Sequence, residues 1–246
     1  MKLSHETAQA IERLHVRAWP ATETAGIDGW LWRWSGGGSL RANSVSTIDF
    51  TGVDATSALD RAESRYRAKA APSRLQTCDL SEPPGLPALL AARGYGLGEA
   101  TQTMVATVAG EAPPLDVTVT DTPTRAWLDV YMEAITESRR TVNREILRRI
   151  PDPCAFFTVH RDGRAISTAL GVVHGGHAVA ECVATRADAR GQRGADAAMR
   201  AMMVWAGSLG AHTVGLQVVE TNRPALMLYW RLGFQAAGTN RFWEKT

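Results

Sequence analysis

Between Val179 and Leu209 the sequence changes period, and that change restricts the fold more than any total does. Val179, Glu181, Val183 and Thr185 alternate with the small residues Ala178, Ala180, Cys182 and Ala184, the two-residue period of a strand. From Asp196 to Leu209, Ala198, Met199, Met202, Met203 and Ala206 recur at helical spacing. Arg190-Gly191-Gln192-Arg193-Gly194-Ala195 joins the two, so a basic, glycine-containing turn sits where a strand ends and a helix begins. The first N–H groups of a helix have no partner within it and carry the positive end of its dipole. Gly191, Gly194 and Ala195 leave the main chain open to a ligand, and Arg190 and Arg193 add mobile charge. The turn is therefore a candidate phosphate site. Taken alone, it is equally a plain connection with solvated arginines.

Composition narrows the field. A net charge of +2 over 246 residues, with basic and acidic side chains interleaved, gives no case for nucleic acid. Cys78, Cys154 and Cys182 are few, odd in number and far apart, which suits buried free thiols in a reducing compartment. The first nineteen residues lack the apolar core of a signal peptide and no apolar run reaches membrane-spanning length. The expectation is a cytoplasmic protein with no membrane partner. His174 and His177 flank a Gly-Gly turn, but no Cys or acid at ligand spacing completes a zinc site.

In chain order, Ser4 caps a first helix whose apolar side is Ala8, Ile11, Leu14 and Val16, and which ends before Pro20. Trp30, Trp32 and Trp34 share one face of a strand, as core or interface. A second strand is expected over Leu40 to Phe50, a helix over Asp54 to Ala70, a strand over Arg74 to Cys78, a helix over Leu86 to Ala92 and a strand over Thr101 to Val108. Ala109 to Pro114 is the expected linker, because its Pro-Pro step continues neither element. It separates a lobe at 1–110 from a domain at 116–246.

The domain reads as a strand (Asp116 to Thr120) and two helices (Thr124 to about Ser138, Asn143 to Ile150). Three strands follow, Phe156 to His160, Ala165 to His174 and the strand of the central stretch. The helix after the basic turn, a strand over Thr213 to Val219, a helix over Pro224 to Arg231 and a strand over Gln235 to Trp243 complete it. Leu89–Tyr95 echoes Leu228–Phe234, each a helix ending in Gly plus an aromatic, so the halves read as diverged copies of one unit.

The element order, the RGQRGA turn and the block Asn222-Arg223-Pro224-Ala225-Leu226-Met227-Leu228-Tyr229-Trp230-Arg231-Leu232-Gly233-Phe234 together resemble the GCN5-related N-acetyltransferase (GNAT) superfamily, over roughly Asp116 to Thr246. The resemblance implies an α/β (α+β) fold, with a mixed, mostly antiparallel sheet flanked by helices and a smaller α/β N-terminal lobe. It also implies acetyl-CoA as co-substrate and a small-molecule or peptide amine as acceptor. By the same resemblance, Arg190, Gly191, Gln192, Arg193, Gly194 and Ala195 hold the diphosphate. Val183 and Thr185 pair through their main chain with the pantetheine arm, and Asn222 meets the cofactor near the helix that follows it. Arg193 stands where the family usually has glycine.

Tyr229 matches the family's acid for the leaving thiolate, a role a positioned phenol suits; its helical stripe suits core packing equally. For the general base the residues offer Glu181, an acid in an apolar strand where burial would raise its pKa. Glu220 is the rival, and for both the alternative is a strand-edge acid paired with arginine. The N-terminal half lacks the basic turn and has Leu90 where the other has Tyr229, as in two-lobed members of the superfamily that have lost one cofactor site. The function so implied is an N-acetyltransferase acting by direct attack in a ternary complex. A degenerate acyl-CoA-binding or regulatory module is the alternative, and a homodimer is left open.

Overall fold

The computed structural model describes residues 4–108 and 110–246. Among the described residues, seven helices pack on one eleven-stranded sheet. The first part of the chain supplies α1 (His5–Ala18), β1 (Glu23–Ile27), β2 (Trp30–Trp34), β3 (Val45–Ser46), α2 (Ala55–Ala68), β4 (Ser73–Thr77), α3 (Leu86–Ala92) and β5 (Gly96–Thr107). The second supplies β6 (Asp116–Thr120), α4 (Arg125–Ala134), α5 (Glu137–Leu147), β7 (Cys154–Arg161), β8 (Arg164–His174) and β9 (His177–Thr185). It ends with α6 (Gly194–Ser208), β10 (Thr213–Val219), α7 (Arg223–Arg231) and β11 (Gln235–Lys245). Among the described residues no helix is long and apolar enough to cross a membrane.

The strands lie in the order β1-β2-β3-β4-β11-β5-β10-β9-β8-β7-β6. The last strand thus inserts between β4 and β5, antiparallel to both, while β5 is also antiparallel to β10. Only β3·β4 and β9·β10 are parallel, and each of these pairs is joined through a helix, as parallel neighbours require. The mixed, mostly antiparallel sheet expected from the sequence is what forms. Of the expected linker, Ala109 lies outside the described residues, and Gly110 to Pro114 carry no helix or strand.

Aliphatic and aromatic faces bury on both sides of the sheet. Met199, Met202, Met203 and Ala206 of α6 pack on β7, β8 and β9, while Trp127 and Tyr131 of α4 cover the opposite face with Leu14 and Ala18 of α1. Full burial of such a side chain stabilises by about 1.5–3 kcal/mol. Trp30 and Trp32 are core rather than interface, packed with Leu59 and Tyr66 of α2.

Two expectations need correction. The strand expected over Leu40 to Phe50 shrinks to Val45–Ser46, because buried Asn43 ties this stretch back to the preceding glycine turn. Its Oδ1 accepts from Ser35 N–H at 2.8 Å and its Nδ2 donates to Ser39 O at 2.7 Å, which holds residues 41–43 in a 3-10 turn. The helix pair in the second half breaks earlier than its apolar stripe suggests. Ile135 and Thr136 are extended, so α4 stops at Ala134 and α5 starts at Glu137 rather than near Asn143.

Candidate active site

The site begins where β9 and β10 part. Their parallel ladder runs from His177↔Thr213 to Ala180↔Leu216 and then stops. Each strand continues on its other side, β9 against β8 to Thr185↔Ser167 and β10 against β5 to Val219↔Thr101. The cause lies in β9, where a bulge opposite Ala169 puts Cys182 at φ +52 and turns the strand away from its partner. A V-shaped opening follows, with strand edges on both sides. It leads into a cavity of about 1340 Å³ that reaches from the basic turn to Tyr229 and on to Trp19 and Arg41.

At one end lies the start of α6. Its first backbone hydrogen bond is Ala197 N–H to Arg193 O at 3.0 Å, so the amides of Gly194, Ala195 and Asp196 have no backbone acceptor among the described residues. No side chain caps them, because the N-cap residue is Arg193, whose guanidinium donates hydrogen bonds and accepts none, and which sits at φ +64. This is the left-handed conformation that glycine adopts without strain, so the backbone keeps the glycine geometry although the residue is arginine. The Arg193 side chain is 63% exposed and donates to Asp196 Oδ2 at 3.1 Å. Gly194 is required: a Cβ there would lie 2.8 Å from Ser167 Cβ. Gly191, Arg193, Gly194 and Ala195 line the cavity with Arg190, whose guanidinium has no ion-pair partner among the described residues. Gln192 faces a separate hollow with His160 and Arg161.

Tyr229 comes from α7, whose start is capped by Asn222 Oδ1 accepting from Ala225 N–H at 3.3 Å. Both residues line the cavity, as do Val183 and Thr185. Burial, with the negative charge of Glu181 adding to it, pushes the Tyr229 phenol well above its ordinary value. It therefore keeps its proton at neutral pH, and its hydroxyl has no hydrogen-bond partner among the described residues. Burial likewise holds Cys182 as a neutral thiol, so it is a poor nucleophile.

Glu181 overturns the expectation that burial would raise its pKa. Desolvation does push it up, but Arg41 and His15 push harder the other way and bring it from 4.5 down to about 2. Arg41 Nη1 donates to Oε1 at 2.7 Å and Nη2 to Oε2 at 2.5 Å, and His15 Nδ1 lies 3.1 Å from Oε1. A carboxylate held this way is a poor proton acceptor, since each unit of basicity lost costs 1.36 kcal/mol in the transfer. Glu220 is exposed at the end of β10 and does not line the cavity. Sequence reasoning missed Arg41, His15 and Trp19, which reach the site from the first part of the chain. The one available signal was a pair of polar residues, Glu12 and His15, on the side of α1 that turns out to be buried.

Sheet order, splayed strands and an open helix start after a basic turn define the class: an acetyltransferase of the GCN5-related kind. The chain belongs to the family described as "Probable histone acetyltransferase Rv0428c C-terminal", whose model matches residues 7–243. It is 28% identical over 243 residues to the "Uncharacterized N-acetyltransferase YobR" of Bacillus subtilis, covering 94% of this chain and 96% of that one. To the "Probable histone acetyltransferase Rv0428c" of Mycobacterium tuberculosis it is 30% identical over 127 residues, 52% of this chain and 39% of that protein. Among solved structures, a GCN5-related N-acetyltransferase from Kribbella flavida aligns with a TM-score of 0.73 at 14% identity over 96% of this chain and 93% of that one. A tandem GNAT protein from the clavulanic acid biosynthesis pathway aligns at 0.64 and 14% identity, over 82% and 74%. Both likenesses are of fold.

Proposed function

We propose that the protein transfers an acetyl group from acetyl-CoA to a primary amine by direct attack within a ternary complex. The observation that carries this reading is the single cavity joining the open start of α6 to the proton-bearing Tyr229 through a gap between two unpaired strand edges. The amides of Gly194, Ala195 and Asp196, with Arg190, receive the diphosphate. The strand edge at Val183 and Thr185 pairs with the pantetheine arm like an added strand, and a strand amide near Val183 polarises the thioester carbonyl. Nitrogen bonds to the acyl carbon as the carbon–sulfur bond breaks, Tyr229 gives its proton to the departing thiolate, and the proton then shed by the acylated nitrogen restores the Tyr229 phenol. With Glu181 so weakly basic, the amine reaches the acyl carbon already deprotonated. Glu181 instead fixes Arg41 and His15.

Residues 116–246 form the catalytic domain in this reading. Residues 1–110 are a lobe derived from the same unit that has lost its cofactor site and now walls the acceptor end with Trp19 and Arg41. Against the binding-only alternative, Arg193 keeps the backbone geometry of glycine; binding without turnover across a broad amine panel would favour that alternative. The name of the mycobacterial relative adds histones to the candidate acceptors.

The test is thiol release by purified protein with acetyl-CoA and pooled amines. CoA should appear only when an amine is present, and Arg190→Ala should raise the Michaelis constant for acetyl-CoA. Calorimetry showing no acetyl-CoA binding would sink the reading.

A further inference from the structure

The charges along the cavity are lopsided. Its lining carries six arginines against two acids, Glu181 and Asp196, and both acids are spent. Asp196 is held by Arg193 at 3.1 Å and by Arg200 Nε at 3.2 Å. Both Glu181 oxygens are held by Arg41, with His15 as a further partner of Oε1. No lining carboxylate is left to receive a second ammonium group.

At the end away from α6 the charged lining groups are Glu181, Arg41 and Arg139. Arg41 is used twice, on Glu181 and over the ring of Trp19 at 5.4 Å. Arg139, in the first turn of α5, lines the cavity beside Tyr131 and Ile135 and has no carboxylate partner among the described residues. It shares that lining with Tyr131 and with Cys182, the bulged residue of β9, and its charge acts on both. Nearby Glu133 is already bound to Arg186.

Resting on the acetyltransfer reading above, we propose that the acceptor is a small amine that carries a carboxylate, an amino-acid-like molecule, and that Arg139 binds that carboxylate. The guanidinium fork matches a carboxylate in two parallel hydrogen bonds. A polycation such as a polyamine, an aminoglycoside or a lysine-rich peptide brings extra positive charge to an end that already holds an uncompensated one. The same arginine that attracts one class repels the other.

The experiment measures acetyl-CoA-dependent thiol release with matched pairs, each an amino acid and its decarboxylated amine, together with spermidine and a lysine-rich peptide. The carboxylate-bearing member of the best pair should show at least about tenfold higher kcat/KM. Arg139→Gln should bring the ratio within that pair close to one by raising KM for the carboxylate-bearing member, with the KM for acetyl-CoA unmoved. Arg139→Lys should restore part of the ratio. Equal rates within every pair, faster turnover of spermidine or the peptide, or an equal loss for both members in Arg139→Gln would overturn the proposal. Acetyl-CoA binding with no thiol release from any carboxylate-bearing amine overturns the acceptor class alone. Absence of acetyl-CoA binding overturns the acetyltransfer reading, and this proposal with it.

Discussion

The run β3-α2-β4-α3-β5 in the first part of the chain and β9-α6-β10-α7-β11 in the second are built alike and end in opposite states. Each holds a parallel strand pair joined through a helix. Each closes on the same helix stop: Gly94 at φ +80 and Gly233 at φ +84 are followed by aromatics whose N–H groups bond back to Leu90 O at 3.0 Å and Tyr229 O at 2.9 Å. The two final strands, β5 and β11, lie side by side at the centre of the sheet. The difference lies at the helix start and at one side chain. In α2 the carboxylate of Asp54 caps the amides of Thr56 and Ser57 at 2.9 and 3.2 Å; in α6 the equivalent amides are uncapped. Leu90 fills core where Tyr229 lines the cavity. On the proposed reading, the contrast teaches that one scaffold becomes a site by leaving a helix start unsatisfied, and becomes a wall by satisfying it.

Removing the proposed proton donor tests this contrast hardest. Tyr229→Phe should lower kcat about 100-fold, at the lower end of what a positioned acid contributes, with the KM for acetyl-CoA nearly constant. Leu90→Met, at the matching place in the first unit, should leave kcat within about twofold because a volume-conserving core change is tolerated. Steady-state kinetics on both variants decides it; equal losses would mean the two positions do the same structural job.

The next effect concerns the seam between the units, where Glu181 of the second meets Arg41 and His15 of the first. Glu181→Gln should cost on the order of 2–3 kcal/mol, because Arg41 loses the charge that balances it and His15 loses a carboxylate partner. The sign with pH is fixed by the depressed pKa. The stabilisation from Glu181 is fully present above its ordinary value of 4.5 and is lost as pH falls toward about 2. Denaturant melts at pH 7, 5 and 3 should therefore show the gap between wild type and variant closing as pH falls. The pH–rate profile from 5 to 9 should have the same shape in both, since Glu181 does not titrate there.

The sequence made the second unit legible and left its inner wall hidden. Period-two and helical patterns located every element from Asp116 onward in the right order, because each carries its own apolar face and its own stop, such as Gly233 or Pro151. The turn from Arg190 to Ala195 was legible for the same reason: its chemistry is contiguous. Arg41, His15 and Trp19 were not, since what makes them part of the site is a tertiary fold-back more than 130 residues away in sequence, as between Arg41 and Glu181. Local pattern also favoured a buried, proton-accepting Glu181, since an apolar strand shows desolvation but not Arg41 and His15, which reach it from elsewhere in the chain. The side chain of Asn43 broke up the strand expected around it by hydrogen bonds that no periodicity records.

The smallest effects come from exchanging charge at the two helix starts. Arg193→Asp swaps +1 for −1 beside the open amides of α6. A two-unit change at roughly 6 Å in a water-like dielectric is worth about 1.4 kcal/mol, so the KM for acetyl-CoA should rise about tenfold with little change in kcat. Aspartate accepts the φ of +64 better than most residues, so the backbone keeps its path. In the other direction, Asp54→Ala should lower the melting temperature by a few degrees and leave both kinetic constants unchanged. Bonds from Ser57 first, then from the Thr56 amide, hold Asp54 below its ordinary 3.8. That stabilisation is present above pH 3.8 and fades as the carboxylate protonates below it. Scanning calorimetry of wild type and variant should therefore show the two melting temperatures converging in acid. If Asp54→Ala instead raised the KM for acetyl-CoA, the first unit would be touching the ligand, and the division into an open start and a closed one would fail.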